Sequence, residues 1–400
     1  MADFVHGVVS SISDNSTRSI SAVATSVIGI VGTAGWADPA KFPVNTPVLV
    51  NDVTQLAGLI SNKPTKETDP PITQGSLPDA LNLMFDQANL TCVVIRVDEG
   101  ADDKTTQTNI IGGVNGSGHR TGMQVLIDAQ SVLGLTPKIL CVPSFSKIVD
   151  VASALCTLTD EMDAFCYLDG PGSSASDAIK ILTAESSPLT GYNNAMLCDP
   201  WIKAAGVADM IPPSALWAAI RAKTDNEKGV WRSSSNQKVN SVIGTSYPVE
   251  YANNPSSTSN LLNGAGVACI VNYGGGFRTW GNYTCAFKTD SQFAFEPARR
   301  VASMISDTLD ETLMWAVDLP TNASYFNNVT ASINGFMRDL SLQSDSAVNG
   351  TCTANKDLNT ETALDQGQSY FDIDFSVASP AQTINCKLTK QLQSTSSSNS

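Results

Sequence analysis

Residues 138–169 read KILCVPSFSKIVDVASALCTLTDEMDAFCYLD, and this stretch decides the fold. Its two ends, KILCVP (138–143) and AFCYLD (164–169), are short continuous apolar runs, as expected of strands buried on both faces. Between them, FSKIVDVASALCTL (145–158) repeats its apolar residues at helical spacing. A strand, a helix and a strand in succession require a crossover connection, so the strands belong to a mainly parallel sheet.

The same alternation extends on both sides. TCVVIRV (91–97) is a β-branched strand. TGMQVLIDAQSVLG (121–134) reads as a helix with Gly134 as its stop. Then come SDAIKILTA (176–184) as helix, NAMLCD (194–199) as strand and PPSALWAAIRAK (212–223) as helix. The fold class is α/β.

After the polar stretch YANNPSSTSN (251–260) the pattern changes. GVACIVNY leads into GGGFRTWGNYT (274–284). A long amphipathic helix follows, EPARRVASMISDTLDETLMWAVD (296–318), with Pro297 in its first turn, where the missing N–H costs nothing. A second helix covers about 328–342. Two alternating strands, SYFDIDFSV (369–377) and QTINCKLTKQL (382–392), close the chain before a Ser/Asn tail. At the other end FVHGVVSSI (4–12) is strand-like too. Both terminal strands lie outside the α/β segment, so they are edge strands of their own sheet or arms donated to another subunit's sheet.

The composition narrows the function. Of 400 residues 42% are hydrophobic and only 16% charged, a low charged fraction that fits a surface partly covered by other chains. A net charge of −14 argues against sequence-independent binding to nucleic acid or anionic membrane, both of which need clustered Lys and Arg. MADFVHGVVSS lacks the basic and apolar regions of a secretory signal, and AVATSVIGIVGTAGWA is too short and too interrupted to span a membrane. The nine cysteines are odd in number and form no C-x-x-C, which marks them as small buried hydrophobes of a cytosolic product.

Chemistry is sparse. The two histidines, His6 and His119, leave little for acid–base or zinc work, and no short catalytic or phosphate-binding motif is present. The loop GVNGSGHRTG (113–122) precedes a helix but stands far from the strand ending at Val97, so the dinucleotide fingerprint lacks its context. Ser117, His119 and Asp128 have nothing to orient them as a triad. No catalytic, metal or cofactor residue is assigned. Gly274, Gly275 and Gly276 have no phosphate-binding lysine beside them and read as a strand entry where two backbones approach closely. That reading expects Trp280 to be buried in the C-terminal domain. Arg299 and Arg300 sit in the first turn of the long helix, where the macrodipole disfavours cations, which points to an acidic partner or to solvated arginines.

Several long stretches, in order, resemble the contractile-tail sheath proteins of short-sheath myophages and R-type pyocins. They are TSVIGIVGTAGWADPAKFPVNTPVLV (25–50), IIGGVNGSGHRTGMQVLIDAQSVLGLTPKILCVPSF (110–145), TDNEKGVWRSSSN (224–236), GGGFRTWGNYT with Gly281 and Asn282, FEPARRVASMISDTLDETLMWAVDLP and GQSYFDIDFSVASPAQTI. The likeness covers nearly the whole chain. It implies a structural protein without catalysis or cofactor, polymerised as six-start helical rings around a tail tube and contracting to drive that tube through an envelope. It implies partners in itself, the tube protein, the baseplate and a tail terminator, and a place in the virion tail after assembly in the host cytoplasm. The equivalent sheath of a pyocin or secretion system is the near alternative, and a nucleotide-binding α/β enzyme the distant one. Its terminal arms would be the stray strands, through Phe4, Val5, Val8 and Val9 at one end and Ile384, Cys386 and Leu388 at the other. An inner domain would then form from residues 1–20 and 262–400, with residues 21–261 as the middle α/β domain, the C-terminal arm at about 382–392, and Arg299 and Arg300 facing the tube. The family often has Arg where this chain has Tyr283.

Overall fold

The computed structural model describes residue 20 and residues 22–64, 73–343 and 348–390. Its centre is an eight-stranded sheet. In chain order the strands are β1 (Ile28–Thr33), β2 (Val48–Val50), β3 (Cys92–Val97), β4 (Ile139–Cys141), β5 (Phe165–Asp169), β6 (Ala195–Cys198), β7 (Val267–Asn272) and β8 (Phe277–Trp280). They lie in the order β8-β7-β6-β5-β4-β1-β3-β2. The six inner strands are parallel, and β2 and β8 run antiparallel at the two edges.

Helices cover both faces, which is why the strands read as unbroken apolar runs rather than alternations. In β3, Cys92 and Val94 pack with α1 (Leu77–Phe85) and α3 (Pro213–Lys228). Val93, Ile95 and Val97 pack on the other side with α2 (Val149–Glu161). The helix expected over 121–134 is instead a 3-10 turn (Gly122–Asp128) followed by one short helical turn (Ala129–Leu133), and Gly134 ends it in the left-handed region at φ 70°.

A second core lies at the C-terminal side. The helices α4 (Glu296–Thr312) and α5 (Ala323–Ser341) enclose Val301, Met304, Ile333, Phe336 and Met337 under a hairpin of β9 (Val348–Ala354) and β10 (Phe371–Val377). Phe371, Ile373 and Phe375 face this core and Asp372 and Asp374 face outward, the period-two alternation the sequence shows.

Four expectations change. The domain boundary at 261/262 cuts the main sheet, because β7 pairs in parallel with β6 (Val267 opposite Leu197, Ala268 opposite Cys198) and β8 completes that edge. The C-terminal core starts near Glu296 instead. The glycines are not a close approach. Gly274 (φ 67°) and Gly275 (φ 83°) are the two central residues of a tight β7–β8 hairpin, closed by Tyr273 N donating to Gly276 O at 3.0 Å. Two positive φ values in succession define the type I′ turn, and a Cβ on Gly275 or Gly276 would meet nothing within 4 Å. Close approach occurs at Gly281, where a Cβ would fall 2.4 Å from Asn263 Oδ1 and 2.9 Å from the Ala268 Cα. Trp280 is half-buried at the sheet edge, edge-on to Tyr251 with ring centres 5.0 Å apart, rather than in the C-terminal core. Finally, residues 382–390 form no helix or strand, so of the two expectations for this segment the edge strand of its own sheet is set aside. Residues 4–12, with Phe4, Val5, Val8 and Val9, lie outside the described residues, as do 391 and 392.

Candidate functional site

The groups an α/β enzyme could use at its sheet edge and glycine-rich loop are paired within the chain. His119 lies on an exposed hairpin between Gly113–Val114 and Arg120–Thr121. There Asn115 Oδ1 accepts from the N–H groups of Ser117 and His119 at 2.9 and 3.0 Å, so the loop's donors are turned onto itself. Asp128 is held by Arg120 at 2.7 Å, and Ser117, His119 and Asp128 are not brought together. Among the described residues no group of three or more His, Cys, Asp or Glu is placed to hold a metal ion.

Asp169, at the C-terminal end of β5, occupies the usual ligand edge of such a sheet. Both of its oxygens are already taken: Oδ1 by Ser214 N–H at 2.8 Å, Oδ2 by Ser144 N–H at 3.1 Å and the Ser146 hydroxyl at 2.7 Å. Burial still pushes its carboxyl up to about 6, with those donors pulling the other way. Asp199 accepts from Gly172 N–H at 2.7 Å and from the Tyr247 hydroxyl, and burial raises it also to about 6. These carboxylates pin loops together. Of the described cysteines all but Cys386 are buried, and burial pushes the Cys92 thiol up to about 12, away from reactivity.

A buried polar cluster lies where the two cores meet. Arg221 and Asp225 of α3 pair at 2.6 Å, and Arg221 lies 3.5 Å from Glu296 at the start of α4. Arg300 binds the other oxygen of Asp225 and donates to the carbonyls of Thr25 at 3.1 Å and Lys138 at 3.3 Å. Glu296 accepts from the Tyr167 hydroxyl of β5 and from the Ser234 hydroxyl at 2.6 Å. Arg221 and Glu296 are fully buried and Arg300 is 4% exposed. Burial, reinforced by the Glu296 charge, holds the Tyr167 hydroxyl well above the usual tyrosine range.

This corrects the expectation for Arg300, whose guanidinium is buried within the chain. Arg300 turns inward onto Asp225, and no guanidinium face is left for a tube. Arg299 donates to Asn193 Oδ1 at 3.1 Å and lies 3.6 Å from Asp163 and 3.8 Å from Asp160. The acidic partners implied by the helix dipole are in the same chain. Sequence reading missed Arg221, Asp225 and Tyr167. Arg221 inside the apolar first part of this helix, with Asp225 four residues on, was the available signal.

The third feature is the root of the tail. Asn282, 5% exposed, accepts from Gln382 Nε2 at 2.7 Å, and the Tyr283 hydroxyl donates to Gln382 Oε1 at 2.7 Å. Tyr283 is stacked between Phe287 and Phe295, with ring centres at 4.6 and 5.1 Å, so this chain has an aromatic platform where an arginine was expected. Residues 378–383 thereby form one wall of a groove of about 750 Å³ whose other sides include Trp280, Gln237 and Arg232. Beyond it the chain is bare: Ile384 is 82% exposed and Leu388 96%.

Comparison with known proteins adds the family. Residues 118–285 match the phage tail sheath protein central domain, and residues 288–389 the phage tail sheath C-terminal domain. The chain is 32% identical to the tail sheath protein of Escherichia phage P2, over 97% of this chain and 96% of that one. It is 31% identical to a putative prophage major tail sheath protein of Pseudomonas aeruginosa (strain UCBPP-PA14), over 96% of each. In fold it is similar to the helical sheath of the anti-feeding prophage in its contracted state (TM-score 0.69, 21% identity, 98% of this chain and 100% of that one). It is similar too to the sheath complex of the PVC extracellular contractile injection system in its contracted state (TM-score 0.67, 17% identity, 98% of each).

Proposed function

The chain belongs to the phage tail sheath family, and on that premise we propose that copies of it are joined into a contractile tail sheath by segments that leave the folded body. The observation that carries this reading is the bare tail. Ile384, Cys386 and Leu388 alternate along the sequence, the spacing that puts side chains on one face once a segment joins a sheet, and each is exposed. Leaving Ile384 and Leu388 in water forgoes about 1.5–3 kcal/mol each of burial, which a partner sheet would recover.

The hairpin β9–β10 of a second copy offers that partner. It is two-stranded, and neither outer edge pairs with another described strand, so it can accept an added strand through main-chain hydrogen bonds. The N-terminal segment with Phe4, Val5, Val8 and Val9 is the second arm in this proposal. Connected in this way, neighbouring bodies can slide and rotate between an extended and a contracted state while staying linked. The work is mechanical, and no residue is assigned a catalytic role. The tail tube protein, the baseplate and a terminator complete the partner set, with assembly in the host cytoplasm and a final place in the virion tail. A phage-derived injection device would use the same subunit in the same way.

Electron microscopy of the purified full chain, beside a chain ending at residue 383, tests this. Tubes from the first and dispersed folded monomers from the second are expected. A full chain that never polymerises would sink the sheath reading, and a truncated chain that forms equal tubes would sink the arm. A nucleotide-dependent rise in melting temperature would favour the enzyme instead.

A further inference from the structure

In a chain of net charge −14, one surface is cationic. Lys223 and Lys228 at the end of α3, Lys238, and Arg278 of β8 line a cavity of about 330 Å³ in which Glu227 is the one carboxylate. Through Lys228 it continues into the 750 Å³ groove, which adds Arg232 and no acid. None of the ion pairs among the described residues involves any of these five side chains. Their polar partners are neutral: Lys228 donates to Gln237 Oε1 at 2.7 Å and Arg278 to Asn236 Oδ1 at 2.9 Å. The position is the β8 edge of the sheet, where Lys238 bridges to Arg278.

Near the opposite edge the sign reverses. The loop after β3 reads Asp98-Glu99-Gly100-Ala101-Asp102-Asp103, with all four carboxylates exposed. Asp98 has only a 3.9 Å approach to Arg96, Glu99 accepts from the Thr73 hydroxyl, Asp102 caps the following helix, and Lys104 is the adjacent cation. Six strand spacings separate β8 from β3, roughly 30 Å.

We propose that the cationic groove at the β8 edge receives the acidic 98–103 loop of a second copy of this chain. A contact between two different surfaces of identical chains is head-to-tail, and it closes into rings or continues as helices. A self-complementary contact at either surface would instead set like charges face to face, which costs several kcal/mol. The separation of sign across the sheet selects the head-to-tail arrangement and fixes which edges meet. The inference rests on the polymer reading above and assigns one of its side-to-side contacts, beside the root of the C-terminal arm, which walls part of the same groove. The open, solvated pairs make the contact salt-sensitive and therefore adjustable between sheath states.

The test is a charge swap in the full chain, read as the concentration at which tubes form. Lys223→Glu, Lys228→Glu and Lys238→Glu together should raise that concentration at least roughly tenfold, and so should Asp98→Lys, Glu99→Lys and Asp103→Lys together. Arg278 and Asp102 are left alone because they hold local structure. All six changes in one chain should restore assembly, since the signs again match. Unchanged assembly after groove reversal, or a sixfold variant no better than the groove variant, overturns the proposal. If a variant misfolds, salt decides with the wild type: raising NaCl from about 0.05 to about 0.5 M should weaken assembly severalfold, and indifference to salt overturns the contact. A wild-type chain that forms no tubes at all would count against the sheath reading instead.

Discussion

Tyr283 holds Gln382 by a 2.7 Å hydrogen bond across 99 residues of chain, and that bond sets where the C-terminal tail leaves the body. The ring is fixed by Phe287 and Phe295, so the hydroxyl is presented at one position. Gln382→Ala and Tyr283→Phe should each leave the global unfolding transition within about 0.5 kcal/mol of wild type. Proteolytic cleavage within 378–390 should speed up about two- to tenfold in Tyr283→Phe, which removes one exposed hydrogen bond, and more in Gln382→Ala, which removes two. Unaltered cleavage would mean that the tail is held by something other than this clasp.

Arg299 and Arg300 are neighbours in sequence but should differ in cost. Arg300→Ala leaves buried Asp225 without one of its two cations and should destabilise by ~3–5 kcal/mol. Arg299→Ala loses longer pairs to more exposed acids and should cost roughly 1 kcal/mol. Denaturant unfolding of both variants measures the difference. Equal losses would show that burial of the ion cluster is not what separates them.

Trp280→Ala removes a half-buried ring at the β8 edge and its edge-on contact with Tyr251. The expected loss is about 1–2 kcal/mol, below the ~3–5 kcal/mol of a fully enclosed tryptophan. A loss in the higher range, from urea titration, would place the ring in a core.

Asp199 gives a pH prediction whose sign is set by its raised carboxyl. A carboxyl held at about 6 in the folded chain binds its proton more tightly there than in the unfolded chain, so stability from this group falls as pH rises through 4 to 6 and is fully lost above about 6. Comparison with Asp199→Asn isolates the effect. The wild type should gain on the variant by about 1 kcal/mol between pH 7 and pH 5, by chemical unfolding. A constant gap would mean that the carboxyl titrates in its ordinary range.

Much of the sheet was legible because its signals are local. An apolar run such as KILCVP, followed by the helical spacing of FSKIVDVASALCTL, needs no distant information. What failed was non-local. YANNPSSTSN has the composition of a linker, yet β7 after it pairs with β6, whose residue Leu197 is 70 positions before Val267. Arg300 was correctly placed in a first turn, but its counter-ion Asp225 lies 75 residues away. The triple glycine was read as a close approach, and only backbone angles separate that from the I′ hairpin it forms. Gln382 gave no signal, since its partners are set by the tertiary fold.

The clasp at Gln382 also decides how the protein meets tension. A pull on the tail reaches Asn282, whose carbonyl accepts from Glu296 N–H at 3.0 Å at the first residue of α4. One turn further on, Arg300 is moored to the carbonyls of Thr25 and Lys138, immediately before the central strands β1 and β4. Part of the load falls on the edge strand β8 through Gly281, and the remainder is shared with strands that have a neighbour on each side. An edge strand pulled alone could be peeled away one hydrogen bond at a time. A strand clamped on both flanks must shear many at once, so whatever load the clasp passes on is met by the most resistant strands of the sheet.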